Sequence, residues 1–218
     1  VTITLARWLG NHRIDLRECS STNDEAARLA RAGASHGTIV VAESQTAGRG
    51  RDGRAWASPP GTGLYLSAIV RPPLPLALVP PMTLAIGIGV CDAVRAFGAD
   101  AVLKWPNDVL VGQRKLAGVL VEAQSQSSRL EAVIVGIGVN LCEPLPSDVS
   151  DRATTLEAAA TKVSPKRGGT LPALPVGGAA APGIEAFIAK LCAHVECWID
   201  RYVAIGLPAV IPAWHARM

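Results

Sequence analysis

Eight consecutive residues, Gly63 to Val70 (GLYLSAIV), carry apolar side chains at odd and even positions alike. In a strand those two sets point to opposite faces, so a strand of this kind is covered on both sides and lies inside a sheet. The material around it is aliphatic. The chain is 49% hydrophobic but only 4% aromatic, so its core is built from Ala, Val, Leu and Ile. A length of 218 residues is ample for a buried core and fits one large domain, or one with a small second. The apolar fraction excludes general disorder.

Around that strand the pattern alternates between sheet and helix. Val1 to Leu9 is apolar and ambiguous. Arg13 to Glu18 alternates as a short strand. Ser20-Ser21-Thr22-Asn23 opens a helix, with Thr22 and Glu25 at capping-box spacing and Gly33 as its stop. Thr38 to Glu43 is a compact apolar strand, and Gln45 to Trp56 a loop rich in glycine and arginine. Met82 to Phe97 is apolar all round, hence a buried helix. Ala101 to Lys104, Asp108 to Val111, Leu116 to Ala123 and Arg129 to Val139 read as strands. From Glu143 to Pro182 Pro, Gly, Ala and Ser dominate, with a short helix around Thr155 to Ala160 and a mobile stretch from Ser164 to Gly183. Ile184, Phe187, Ile188, Leu191, Val195, Trp198, Ile199 and Tyr202 mark one face of a last helix, and Pro208 and Pro212 bracket a short tail. The pattern predicts an α+β fold, a mixed β-sheet with helices packed mainly on one face, in a single domain over residues 1–218.

Charge and cysteine usage narrow the function classes. Lys and Arg number 21 against 18 Asp and Glu, a net charge of +3, too balanced for a bulk nucleic-acid binder. Five cysteines with no C-x-x-C or zinc spacing argue against a disulfide framework or structural zinc, and fit a reducing cytoplasm. Val1-Thr2-Ile3-Thr4 shows no basic region followed by an apolar signal core. Prolines and glycines break the apolar stretch Leu74 to Val90, so no membrane span is expected.

Five clusters could carry chemistry. In Gly48-Arg49-Gly50-Arg51-Asp52-Gly53-Arg54 the glycines let backbone N–H groups approach an oxyanion and the arginines offer charged forks for phosphate. Trp56 behind them suits stacking on a flat ring. The alternative is a solvated flexible loop, or one that binds RNA without sequence preference. In Lys104-Trp105-Pro106-Asn107-Asp108 a lysine, an amide and a carboxylate suit a nucleotide triphosphate, with Asp108 able to hold Mg²⁺; the alternative is an ordinary turn. Lys115 begins a strand whose alternate residues Ala117, Val119 and Val121 are apolar, which aims it toward the side they cover. Gly118 leaves room for a ligand there, and a partly desolvated ammonium could neutralise charge at a reacting phosphorus or carboxylate. The other reading of Lys115 is a turn lysine in water. Gly136-Ile137-Gly138-Val139-Asn140 permits close approach at a strand end or marks a bulge. Ser21-Thr22-Asn23 caps a helix or turns a hydroxyl toward a small polar ligand.

In this order and spacing the clusters, with Leu64-Tyr65-Leu66-Ser67 among them, resemble the catalytic domain of biotin protein ligases over about Cys19 to Leu141. The resemblance implies the biotin/lipoate ligase fold, which is like that of class II aminoacyl-tRNA synthetases. It also implies an ATP-dependent ligase. Biotin and ATP would give biotinyl-5′-AMP and pyrophosphate, and the biotinyl group would pass to a lysine of a biotin carboxyl carrier protein, usually that of acetyl-CoA carboxylase. By motif match Ser21, Thr22, Asn23 and Gln45 hold the ureido ring, and Arg49, Gly50 and Arg51 close over the ligand, with Gly118 beside it. Lys115 and Arg51 are the catalytic pair, Lys115 touching the biotin carboxylate and the α-phosphate. Trp56, Asn107, Asp108 and Asn140 line the nucleotide side, with Lys104, Arg49, Arg51 and Arg54 near phosphates and Asp108 on Mg²⁺.

Two departures from many relatives are expected: no helix-turn-helix before the first strand, and hence no operator DNA binding, and a small SH3-like barrel beyond the last helix that is absent or truncated. Relatives often form homodimers by setting sheets side by side. Two other functions stay open: a ligase that adenylates lipoate or octanoate, and a non-catalytic nucleic-acid-binding protein using the Arg/Gly loop.

Overall fold

The computed structural model describes residues 6–160 and 183–218. The expectations for residues 1–5 and for the mobile stretch 164–182 lie outside the described residues. Seven strands form one sheet: β1 (Arg13–Cys19), β2 (Ile39–Gln45), β3 (Gly63–Val70), β4 (Ala101–Lys104), β5 (Asp108–Val111), β6 (Arg114–Gln126) and β7 (Arg129–Asn140). Their spatial order is β1-β2-β3-β7-β6-β5-β4. β1 and β2 run parallel, joined by helix α1 (Thr22–Arg31), and every other neighbouring pair is antiparallel. β3 lies between β2 and β7 with all its residues buried, as its two-faced apolar sequence requires.

Alternation sorts the two faces. Leu64, Leu66, Ala68 and Val70 of β3 and Val133, Val135, Ile137 and Val139 of β7 enter the larger core. That core is closed by α2 (Val79–Ala96), α3 (Leu156–Ala160), α4 (Ile184–Ile205) and α5 (Leu207–His215). Burying each Leu, Ile or Val is worth about 1.5–3 kcal/mol, and α2 alone supplies Leu84, Ile86, Ile88, Val90 and Val94. It is apolar all round because it is sandwiched between the sheet and α4. At the crossing a Cβ on Gly89 would lie 2.7 Å from Val195 Cα, so the two backbones touch there. The opposite parity, Ile69, Ala132 and Ile134, packs with Val40 against Ala26 and Ala30 of α1. Helices thus gather mainly on one face, and α1 is the exception. α1 covers only part of its face. Beyond Ile69 and Ile134 the same parity continues through Ser67 and Tyr65 on β3 and Gly136 and Gly138 on β7, and there a cavity opens.

Two expectations need correction. The tail bracketed by Pro208 and Pro212 is helix α5. Pro208 sits in the first turn, where no N–H is required, and buried Val210 and Trp214 hold the helix on the core despite Pro212. The chain then turns so that the Arg217 carbonyl accepts from Leu103 N (2.7 Å), covering the outer edge of β4. Second, the capping box is not formed. Ser21 is the N-cap without a side-chain bond, and the Thr22 N–H donates to Gln45 Oε1 at 2.7 Å. The expected buried helix is present: Leu76–Ala96 is long and apolar enough to cross a membrane, but 67% of its apolar window is buried inside the fold, which is the packing of a core helix.

Candidate active site

The cavity sits where the first turn of α1, the end of β2 and the middles of β3, β6 and β7 converge. Ser21, Thr22 and Asn23 are 2–4% exposed, so their polar groups need partners. Gln45 Oε1 accepts from the Thr22 N–H and stands 3.1 Å from Thr22 Oγ1, and its Nε2 donates to Ser58 Oγ at 2.8 Å. Ser67, wholly buried, lies 2.7 Å from Thr22 Oγ1 and 2.6 Å from Asn23 Oδ1. Gly136 is required beside them, because a Cβ there would collide with Asn23 Oδ1. The glycine run is therefore a seat for the α1 side chains rather than a bulge.

The Arg/Gly loop is folded back on itself. Arg49 and Ala55 form a bridge, Gly50 N donates to the Arg54 carbonyl at 2.6 Å, and a tight turn over Arg51–Gly53 closes it. Asp52 (φ 57°) and Gly53 (φ 72°) make the left-handed step. Arg49 is latched by Asp24, which accepts two bonds at 2.7 Å, and more loosely by Glu122 at 3.4 Å. Arg49, Gly50 and Arg51 line the cavity, and Arg54 lies exposed outside its lining.

Lys115 reaches the cavity by a route that simple alternation does not give. Val109 pairs with Ala117, but its neighbour Leu110 pairs with Lys115, which leaves Leu116 unpaired. This bulge sends both Leu116 and Ala117 into the larger core and re-aims Lys115 to the opposite face. The expectation that Lys115 points to the side of Ala117, Val119 and Val121 is thus corrected. A Cβ on Gly118 would meet Lys115 Nζ at 3.2 Å, so the ammonium lies over that glycine. It pairs with Asp108 at 2.6 Å and stands 5.1 Å from the centre of the Trp56 ring. Trp56 lies on Gly138, whose Cβ would be 2.5 Å from the ring, and its indole N–H is buried with no partner among the described residues.

The other predicted residues lie at the cavity wall or behind it. The Asn140 amide donates to the carbonyls of Lys115 (3.3 Å) and Thr154 (3.2 Å), clamping the start of β6 against residues 152–154. Asn107 lines the cavity and donates to the Val119 carbonyl at 2.9 Å. Lys104 is exposed at the end of β4, in register with Asp108, and neither is among the lining residues. Sequence reasoning quoted Tyr65 and Ser67 in a motif without giving them a role, and missed Asp24 and Glu122. A lone serine in an otherwise apolar central strand was the signal for Ser67. Asp24 and Glu122 gave none, because their partners are distant in sequence.

Residues 17–140, which contain every predicted site residue, match the model of the Biotin/lipoate A/B protein ligase family. The chain is 41% identical over 155 residues to the bifunctional ligase/repressor BirA of Bacillus spizizenii, covering 69% of this chain and 48% of that protein. It thus spans about half the length of that relative. It is 34% identical over 205 residues to the biotin–[acetyl-CoA-carboxylase] ligase of Paracoccus denitrificans, covering 93% of this chain and 79% of that one. The biotin protein ligase from Aquifex aeolicus in complex with biotin and ATP superposes with a TM-score of 0.74 at 28% identity, over 95% of this chain and 78% of that one. A mixed sheet of this order, with the cavity on its α1 face, is the biotin/lipoate ligase fold, and the chain belongs to the Biotin/lipoate A/B protein ligase family.

Proposed function

We propose that this chain condenses biotin with ATP to biotinyl-5′-AMP and pyrophosphate, and then passes the biotinyl group to a lysine of a biotin carboxyl carrier protein. The observation that carries this reading is the position of the Lys115 ammonium. It stands on the wall of a cavity lined on one side by Ser21, Thr22, Asn23 and Gln45 and on the other by Arg49 and Arg51. In the first step a carboxylate oxygen bonds to the α-phosphorus and the bond to the pyrophosphate oxygen breaks. Both reactants are anions, so the site has to supply positive charge and exclude water.

In this reading the hydroxyl and amide groups bind the ureido ring, and Lys115 leaves Asp108 to bridge carboxylate and phosphate. That exchange costs little, because the pair is partly exposed (34% and 22%). Arg51 and Arg49 cover the adenylate and keep the mixed anhydride from water. Trp56 gives up its place on Gly138, where its N–H has no partner among the described residues, to face the nucleotide. Asp108 is a single carboxylate. It fits Mg²⁺ in the way the ion usually meets nucleotides, with one carboxylate and several phosphate oxygens. The ion would screen phosphate charge. A cytoplasmic location and a homodimer belong to the same reading.

The test is exchange of labelled pyrophosphate into ATP, dependent on biotin and measured beside lipoate and octanoate. Exchange with biotin alone is expected, falling at least 100-fold in Lys115→Ala, in line with loss of one preorganised charge. Exchange equal in that variant, or driven by lipoate, overturns the reading.

A further inference from the structure

Residues 48–56 form a small hairpin. Trp56 N–H donates to the Gly48 carbonyl at 2.9 Å and Gly50 N–H to that of Arg54 at 2.6 Å, with the Arg49–Ala55 bridge between them. Its root is fixed to the turn before α1, where Ala47 N–H donates to the Ser20 carbonyl at 2.8 Å. Beyond the root, among the described residues, every side-chain hydrogen bond from residues 48–55 to another element comes from Arg49. One terminal nitrogen of its guanidinium donates to both oxygens of Asp24 on α1 at 2.7 Å. The other faces both oxygens of Glu122 on β6 at 3.4 Å. Arg49 is thus engaged at both ends by carboxylates. A phosphate drawn to it would meet two negative charges in the same place. Arg51 differs. It lines the same cavity and, among the described residues, pairs only with its own neighbour Asp52, at 3.4 Å.

We propose that the two loop arginines have different tasks: Arg51 is the guanidinium that meets phosphate, and Asp24 is a positioning residue that clasps Arg49 and so keeps the hairpin shut over the bound adenylate. The inference rests on the proposed function for that adenylate. When the hairpin lifts, a water oxygen bonds to the acyl carbon or the α-phosphorus and the anhydride bond breaks. Biotin carboxylate and AMP leave, and the two water protons pass to solvent. The clasp therefore acts on retention of the intermediate and not on its formation, which falls to Lys115 and Arg51. Its side chains are partly exposed (38% and 49%), which makes it a modest and salt-sensitive lock.

The experiment follows labelled adenylate as it leaves the protein with no acceptor present, after it has been made from biotin and ATP with pyrophosphatase and freed of excess nucleotide. Asp24→Asn is expected to shorten its half-life about three- to five-fold, the scale of a well-formed surface ion pair, with the pyrophosphate exchange rate and the KM for ATP within about two-fold of wild type. Asp24→Glu keeps a carboxylate and is expected to bring the half-life back to within about two-fold. Glu25→Gln removes the same charge from the first turn of α1, but Glu25 pairs with Arg28, so no change is expected there. Raising salt from about 0.05 to about 0.5 M should shorten the wild-type half-life toward that of Asp24→Asn and leave the variant nearly constant. Three results overturn the proposal: an unchanged half-life in Asp24→Asn, an equal loss in Glu25→Gln, or a several-fold lower KM for ATP in Asp24→Asn, which would mean that Asp24 withholds Arg49 from phosphate. A second readout needs no activity: trypsin should cut after Arg51 or Arg54 several-fold faster in ligand-free Asp24→Asn than in wild type or Glu25→Gln. If wild-type protein forms no adenylate from biotin and ATP, the proposed function fails, while the trypsin rates still decide the clasp. Equal cleavage rates refute it.

Discussion

Two glycines two residues apart show how much the surroundings of a residue decide. A Cβ on Gly136 would strike Asn23 Oδ1, whose side chain is pinned between Glu122 and Ser67. A Cβ on Gly138 would press on the Trp56 ring at 2.5 Å, and that ring belongs to a loop at the protein surface. Overpacking costs about 1–3 kcal/mol when neighbours cannot yield. Gly136→Ala is therefore expected at the upper end of that range and Gly138→Ala at the lower end, as measured by urea denaturation. Equal costs would mean that Trp56 is held as firmly as Asn23. The glycines were visible in the sequence, but their purpose was not. Ligand room and a bulge were both open from the sequence, and only the neighbours from α1 and the loop show that side chains fill the space.

At the scale of elements, most of the sheet was legible. The strands β3, β4 and β5 carry apolar patterns and turn residues that mark their ends, and the structure keeps those bounds. Two departures have physical causes. Helix α5 was hidden by Pro208 and Pro212, which read as breakers, whereas burial of Trp214 and Val210 outweighs the single lost bond. The bulge at Leu116 was hidden because nothing local distinguishes one unpaired residue in a strand, yet it decides which face Lys115 serves.

The chain before β1 is fastened by another long-range contact. Glu196 of α4 accepts from the backbone N–H groups of Arg7, Trp8 and Leu9 at 2.8–3.0 Å. Burial pushes the Glu196 carboxyl up, but those bonds and the Arg7 guanidinium outweigh it and hold it below the usual carboxylate range. A carboxyl lowered in this way stabilises the fold above its ordinary unfolded value and loses that contribution as pH falls through the folded one. Glu196→Gln is expected to cost about 2 kcal/mol near neutral pH. The gap to wild type should close as pH drops below the ordinary carboxylate range. Thermal unfolding across that range tests this, and a gap that widens in acid would contradict it.

At the scale of the molecule, the fold separates support from chemistry. One face of the sheet carries the large core under α2, α4 and α5, while the other is only partly covered by α1 and leaves the cavity at its open end. The family motifs were legible because they are local in sequence: the Arg/Gly loop, the strand that bears Lys115, and the Ser-Thr-Asn turn. The acidic partners that hold them were not, since Asn23 and Glu122 stand 99 positions apart. In the proposed reaction a cationic loop and one ammonium let two anions meet in this cavity. A crystal structure grown with biotin and ATP tests that most directly. It should show Trp56 lifted from Gly138, and Lys115 Nζ moved from Asp108 to within hydrogen-bond distance of the carboxylate and the α-phosphate. An empty cavity, with Trp56 and the Lys115–Asp108 pair unmoved, would contradict it.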